Sequence, residues 1–216
     1  ERIFNGNVTI LGTVPSLLSV LLDGVDSNLD LRDKLQSIQT LLLIGEPFTT
    51  TLYKRWTKYF PKTRVINAYG PTECADAVTH YSVINNENTS LTVPINGTIQ
   101  NMSLYILGDN LKLTPYGAIG ELYVGGIGVA QGYYELPDQT LRVFLPSPFA
   151  EKKMLYKTGD LVTSSPEGLL YFLGRKDKQV KINGCRVELG EIESILLQFP
   201  AVKNAVVEVI QQAGKN

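Results

Sequence analysis

Between Asn67 and Asp76 the chain reads Asn-Ala-Tyr-Gly-Pro-Thr-Glu-Cys-Ala-Asp, an aromatic ring, a hydroxyl and a carboxylate gathered around a Gly-Pro turn. Tyr69 can stack on a base, Thr72 can hydrogen-bond a phosphoryl oxygen, and Glu73 can hold Mg²⁺ through oxygen ligation. Taken alone, Gly70-Pro71 marks only a turn, and short motifs carry a high false-positive risk. Further along, Tyr156-Lys-Thr-Gly-Asp-Leu puts Asp160 behind a glycine turn, at what reads as a strand start. A carboxylate there is commonly a turn former. It can also accept two hydrogen bonds from the vicinal hydroxyls of a ribose, the role an acidic residue plays in dinucleotide folds. The stretch from Gly174 mixes Arg and Lys with turn formers. It reads either as a solvated charged connector or as a phosphate or ribose contact through Arg175, with Asp177 as a hinge. Gly120 to Tyr134 is glycine-rich, and the expected place for those glycines is between strands, as hairpin turns and close strand contacts.

The elements that would position these groups alternate in the first third. Asn7 to Leu11 reads as a strand, and a helix starts at Thr13 with Pro15 in its first turn, where a missing N–H costs little. Leu41 to Ile44 is a continuous apolar run ended by Gly45, as in a strand buried on both faces. Thr49 to Phe60 puts Leu52, Trp56 and Phe60 on one helical face. Arg64 to Ile66 is then a strand whose carboxyl end delivers the Asn67–Asp76 cluster, and that end is where ligands bind in open α/β sheets. The β-α-β-α-β order predicts a mostly parallel sheet. From about Leu91 to Phe172 short strands alternate with Gly, Asn and Asp turns, which predicts an antiparallel, barrel-like unit interrupted by a helix at Leu136–Phe144. The last part reads as a strand at Gln179–Ile182, an amphipathic helix at Glu188–Phe199 and a strand at Ala205–Ile210, the start of a small α+β domain.

Composition narrows the function classes. The chain has 216 residues, 44% hydrophobic and 19% charged, with a net charge of −1 and no Lys/Arg block, so it carries no nucleic-acid footprint. No apolar run approaches the roughly 20 residues that span a bilayer. Glu1-Arg-Ile-Phe is not a basic-then-apolar leader, and Cys74 and Cys185 belong to no Cys-x-x-Cys pair, so a cytoplasmic setting is expected. His80 is the only histidine, which excludes multi-imidazole metal centres within this chain. Its place in Ala-Val-Thr-His-Tyr-Ser-Val predicts the polar face of an alternating strand.

Taken together and in this order, Asn-Ala-Tyr-Gly-Pro-Thr-Glu, Gly-Glu-Leu-Tyr-Val-Gly-Gly-Ile-Gly-Val-Ala-Gln-Gly-Tyr, Tyr-Lys-Thr-Gly-Asp-Leu, and Gly-Arg-Lys-Asp-Lys-Gln-Val-Lys-Ile-Asn-Gly-Cys-Arg-Val-Glu-Leu-Gly-Glu-Ile-Glu closely resemble four consecutive core motifs. They are those of adenylation domains of nonribosomal peptide synthetases, within the adenylate-forming superfamily. The resemblance covers nearly the whole chain. It implies ATP and AMP as nucleotides, Mg²⁺ on Glu73, and a small carboxylic acid, usually an amino acid, as substrate. A carrier-protein domain bearing phosphopantetheine would be the acceptor, in a multidomain enzyme of secondary metabolite biosynthesis with other modules beside it. Asn67, Ala68 and Gly70 would line the adenine and Tyr69 would stack on it. Thr72 would touch the α-phosphate, Asp160 would bind the ribose hydroxyls, and Arg175 would contact ribose and phosphate. Phe172 stands where the family often has Tyr, so one polar contact is exchanged for packing. Asp177 would be the hinge between a core over residues 1–176 and a mobile lid beginning at 177–216.

Matching the family's pocket positions by spacing suggests Gly12, Leu42, Ile44, Ala68, Asp76 and Ala77 as the acyl pocket. If Asp76 points inward, a buried carboxylate calls for a cationic or hydroxyl-bearing partner, hence a polar or basic substrate side chain. If it points outward it carries no specificity. The family's phosphate loop, its α-amine-anchoring acid and its lid lysine match nothing here, and Gly214-Lys215 does not supply that lysine's motif. The chain therefore reads as the middle of an adenylation domain whose remainder it needs for activity. An acyl- or aryl-CoA ligase, or a noncatalytic remnant serving as an interaction platform, are the alternatives.

Overall fold

Short aliphatic runs alternating with proline- or threonine-started helices build the first sheet, and the computed structural model describes residues 6–83, 90–177, 179–199 and 201–210. Strands β1 (Ile10–Thr13), β2 (Thr40–Leu43) and β3 (Arg64–Tyr69) are parallel, with Gly12, Leu42 and Ile66 in register across them. Strand β4 (Thr79–Ser82) closes the edge antiparallel to β3, pairing Ala68 with His80, whose side chain is exposed as its alternation requires. Helix α1 (Pro15–Ser27) opens with Pro15 in its first turn and buries Leu18, Leu22 and Val25. Asn28 caps a short second helix, α2 (Leu29–Lys34), by accepting the amides of Asp30 and Leu31. Thr49 caps α3 (Thr50–Tyr59) through the Leu52 amide. Leu18, Leu22, Leu41, Leu43, Trp56 and Val65 form the core between these helices and one face of the sheet.

Differences from the sequence reading have local causes. Asn7 takes a left-handed conformation at φ 48°, so β1 starts at Ile10 rather than Asn7. Leu42 and Ile44 are only half-buried, so β2 is packed deeply on one face, not both. Strand β3 runs on through Asn67, Ala68 and Tyr69, which makes these ladder residues rather than turn residues.

The second sheet is antiparallel throughout. Strands β5 (Met102–Leu107), β6 (Ile119–Gly126) and β8 (Met154–Ser164) lie side by side, and the far edge of β8 is shared by β7 (Phe144–Pro146) and β9 (Leu170–Arg175). Among the described residues these strands form an open sheet, not a closed barrel. Helix α4 (Pro137–Val143) precedes β7 as expected. Gly120, Gly125 and Gly126 fall inside β6, not between strands. At Gly126, φ is 127° and a Cβ would stand 2.3 Å from the Asn101 carbonyl oxygen, so glycine permits the close approach of β5. Asp160 likewise lies within an eleven-residue strand rather than at a strand start, because Gly159 at φ 75° lets β8 bend and continue.

The C-terminal part is a hairpin followed by a helix. Strands β10 (Gln179–Ile182) and β11 (Cys185–Glu188) pair through the turn Asn183-Gly184, both with positive φ, as a two-residue hairpin requires. Helix α5 (Leu189–Leu196) is shorter than the Glu188–Phe199 expectation. Ala205–Ile210 is not a strand: among the described residues no edge pairs with it, and β-branched alternation makes a ladder only where a partner strand exists. Gly214-Lys215 lies outside the described residues.

Candidate active site

A cavity of about 420 Å³ opens at the carboxyl end of β3, between the β2–α3 loop, the β8–β9 pair and β10. Its walls include Asn67, Ala68, Tyr69 and Gly70 from the first sheet, Asp160, Phe172 and Arg175 from the second, and Asp177 from the connection beyond β9. Residues far apart in sequence thus converge on one space, and they are the residues expected around a nucleotide.

The polar groups are locked together. The Tyr69 hydroxyl donates to Asp160 Oδ2, and Arg175 Nη1 lies 2.9 Å from Asp160 Oδ1. Asp160 is positioned from below: its amide donates to the Thr158 hydroxyl at 3.0 Å, and that hydroxyl donates to the Leu122 carbonyl of β6 at 2.7 Å. Burial, with the Asp160 charge beside it, pushes the Tyr69 phenol well above its usual range, so it stays a neutral donor. Arg175 continues to Asp177 in a two-point pair, Nε to Oδ1 at 2.9 Å and Nη2 to Oδ2 at 2.6 Å. Asp177 Oδ1 also accepts the Gln179 amide at the start of β10. Burial works to raise the Asp177 carboxyl, but its bond to Arg175 outweighs that and holds it below its ordinary value. Asn67 directs both N–H bonds of its buried carboxamide at the main chain, to the Val93 and Pro94 carbonyls at 3.2 and 2.9 Å. That leaves Oδ1 as the acceptor it can offer an amine.

Glu73 and Thr72 sit outside this space. They lie on a 3₁₀ turn, Thr72–Cys74, after Pro71; Thr72 is exposed, while Glu73 is 9% exposed and faces a second, more polar cavity of about 790 Å³. Arg175 and Asp177 line both cavities. Glu73 Oε1 accepts from Tyr133 at 2.5 Å and from Arg186 of β11 at 2.8 Å. Burial works to raise this carboxyl, but the Tyr133 bond and the Arg186 charge outweigh it and the group stays below its usual range. Its Oε2 is buried without a hydrogen-bond partner. An orphaned, ionised carboxylate oxygen suits a hard cation. Among the described residues no three His, Cys, Asp or Glu converge on a metal position, so an ion there would draw its other ligands from water and phosphate, as Mg²⁺ usually does.

Of the residues suggested for the acyl pocket, only Ala68 lines the cavity. Gly12, Leu42 and Ala68 share a sheet face through the strand register, and Ile44 follows β2 on the same side. Gly12, Leu42 and Ile44 do not reach the cavity wall. Asp76 is exposed, at φ 74°, and Ala77 follows it in the same turn. Glu46, Phe48, Val93, Ile95 and Lys181, none of them singled out by residue type and spacing, also form the wall. Lys181 and Arg186 stand in the Gly174–Glu193 motif, where alternation after a turn was the available signal. Glu46 and Phe48 gave none beyond following Gly45.

This fold and this site define an AMP-binding enzyme: the family model of that description matches residues 2–134, and the chain belongs to it. Among individual proteins, the chain is 43% identical to gramicidin S synthase 1 of Brevibacillus brevis over 209 residues, covering 97% of this chain and 18% of that one. It is 41% identical to tyrocidine synthase 1 of Brevibacillus parabrevis over 175 residues, 81% of this chain and 16% of the relative. Against Malpinin synthetase of Mortierella alpina, identity is 41% over 207 residues, 93% of this chain and 3% of the relative. The chain therefore spans less than a fifth of these curated relatives. A Vibrio cholerae adenylation domain solved with glycyl-adenosine-5′-phosphate superposes with a TM-score of 0.79 at 31% identity, over 91% of this chain and 36% of that one. An NRPS protein containing adenylation and PCP domains superposes at 0.85 with 26% identity, over 97% and 42%. No described helix is long and apolar enough to cross a membrane.

Proposed function

We propose that this chain is part of a peptide-synthetase adenylation domain, which joins an amino acid to AMP and passes it to a carrier-bound phosphopantetheine thiol. The observation that carries this reading is the Tyr69–Asp160–Arg175 cluster at the floor of a cavity whose neighbouring turn holds Glu73. Asp160 would offer a fixed carboxylate to ribose hydroxyls, Asn67 Oδ1 would accept from a base amine, and the rings of Tyr69 and Phe172 would supply apolar surface. Arg175 would contact ribose and phosphate. The names of the relatives, and the glycyl-adenylate in one neighbour, support an amino acid as the acid.

In the first step a substrate carboxylate oxygen attacks the α-phosphorus of ATP while the bond to the β-phosphate oxygen breaks and pyrophosphate leaves. In the second, a thiolate sulfur attacks the acyl carbonyl and AMP leaves. The chain's contribution is positional and electrostatic: it fixes the ribose, orients the α-phosphate and lowers the cost of developing charge. Mg²⁺ held through Glu73 Oε2, when bound, would neutralise phosphate oxygens; Thr72, exposed on the same turn, would contact the α-phosphate. Asp177 would be the hinge between the 1–176 core and the lid that starts at 177. Free, unpaired Cys74 and Cys185 agree with a cytoplasmic enzyme.

The test is ATP–pyrophosphate exchange by the complete protein across a panel of amino and aryl acids, with carrier protein or CoA as acceptor. Exchange driven by one amino acid, followed by loading of carrier protein, is expected. Activity with CoA as the only acceptor would assign it to the CoA ligases instead, and no exchange with any acid would point to a noncatalytic remnant. The 216-residue chain by itself is expected to show no exchange.

A further inference from the structure

The hairpin β10–β11 supplies Gln179, Val180 and Lys181 to the cavity wall, yet among the described residues its strands pair only with each other. Something must therefore fix it against the core. Glu46, in the loop after β2, makes such a contact. Its Oε1 accepts the backbone amide of Gly184, at the hairpin tip, at 2.7 Å across 138 positions of sequence. The same carboxylate is anchored on the core side: Oε2 accepts the Ser16 amide at 2.8 Å and Oε1 the Ser16 hydroxyl at 2.9 Å. These groups belong to the first turn of the thirteen-residue helix α1, so an orphan helical N–H and the positive end of the dipole hold the carboxylate. The fit at the tip is close. A Cβ on Gly184 would stand 2.7 Å from Val14 Cγ1, and Gly184 itself is at φ 77°.

We propose that Glu46 is a positioning residue that docks the β10–β11 turn through the Gly184 amide and so holds one wall of the cavity in place. The carboxylate has one rigid neighbour, α1, and one it must capture, the hairpin. Through it the first turn of α1 is joined to the strand that carries Lys181. The inference rests on the proposed reaction only for its catalytic consequence; the docking itself is a property of the fold.

Hydrogen exchange of the Asn183–Cys185 amides in the complete protein, with and without ATP, reads the docking directly. Glu46→Ala is expected to raise exchange there about tenfold, the loss of one charge-assisted bond. Gly184→Ala should do the same by collision with Val14. Ser16→Ala, which weakens only the α1 side, should leave hairpin exchange unchanged, and its melting temperature controls for general destabilisation. In turnover, Glu46→Ala is expected to reduce acyl transfer to carrier protein several-fold more than pyrophosphate exchange, and Glu46→Gln, which keeps an acceptor for the Gly184 amide, should recover most of it. Unchanged hairpin exchange in Glu46→Ala overturns the proposal. So does a raised KM for the acid with hairpin exchange unaltered, which would make Glu46 a substrate contact. If the unmodified protein shows no pyrophosphate exchange at all, the proposed function falls while the hydrogen-exchange result still decides the role of Glu46.

Discussion

Arg186 reaches from β11 to Glu73, Nη1 to Oε1 at 2.8 Å, across 113 positions of sequence. The pair ties the C-terminal hairpin to the turn after β3, and it leaves Glu73 with one neutralised oxygen and one bare one. On the proposed reading a divalent ion would take the bare oxygen, and the two cations would then compete for the charge of one carboxylate.

That competition has a measurable sign. Arg186→Met should tighten the apparent Mg²⁺ requirement of pyrophosphate exchange by roughly three- to tenfold, because a positive charge would no longer stand beside the ion's carboxylate. Glu73→Gln should lower kcat/KM by on the order of 100-fold, as expected if the carboxylate that would hold the charge-neutralising ion is lost. Magnesium titrations of both variants check this; a weakened requirement in Arg186→Met would contradict it.

Asp160 accepts from Tyr69 and Arg175 and is 7% exposed. Asp160→Asn should raise the KM for ATP by about 10- to 100-fold through the loss of charged acceptors. Tyr69→Phe keeps the ring and removes one hydrogen bond, so less than about a fivefold change is expected. Steady-state kinetics over ATP concentration separates them, and equal effects would mean that Tyr69 serves chiefly to hold Asp160.

Gly70 is required by space rather than by torsion. A Cβ there would stand 1.9 Å from the Asp76 carbonyl oxygen and 2.7 Å from the Val78 amide nitrogen, both rigid backbone atoms. Gly70→Ala should cost about 3 kcal/mol or more in urea unfolding, as backbone collisions do. Gly117 is the opposite case: its φ is 80° but no atom lies within 4 Å of a Cβ, so Gly117→Ala should cost only about 1 kcal/mol of left-handed strain.

Cys74 is 1% exposed, and burial, with Glu73 beside it, pushes its thiol from 9.0 up to about 12. An unfolded chain releases this proton near pH 9 and the folded one does not. The sign is therefore a loss of stability as pH rises from about 9 towards about 12, at most about 1.4 kcal/mol per pH unit from this one group. Cys74→Ala should flatten that alkaline limb relative to the parent. In native protein at pH 8 an alkylating reagent should label Cys185, which is exposed, and reach Cys74 only on unfolding.

Legibility in the sequence followed how local the signal was. The β-α-β-α-β order came through because Leu18, Leu22, Leu41, Leu43 and Trp56 repeat with the helix and strand periods that bury them. Gly-Asp is turn chemistry and so predicts a strand start at Asp160, whereas a glycine at φ 75° can instead bend a strand and let it continue. Ala205–Ile210 has strand composition but, among the described residues, no edge to join, and only tertiary structure decides that. Glu46 was silent because its partners are a helix N-terminus and a backbone amide, neither of which leaves a mark in residue type. Gly12, Leu42 and Ile44 were placed by spacing, and spacing fixes a sheet face without saying which cavity that face reaches.

A guanidinium has five N–H hydrogens. In Arg175 four of them are engaged, by the Thr158 carbonyl, by Asp160 and by the two oxygens of Asp177. One remains. A ligand that asks Arg175 for paired contacts to two phosphate oxygens must therefore detach it from one of these acceptors, and Asp177, half-exposed, is the cheapest to release. Releasing it would unburden the carboxylate that also steadies the Gln179 amide, so on the proposed reading the looseness of the joint before β10 would be set by how many hydrogens a nucleotide claims.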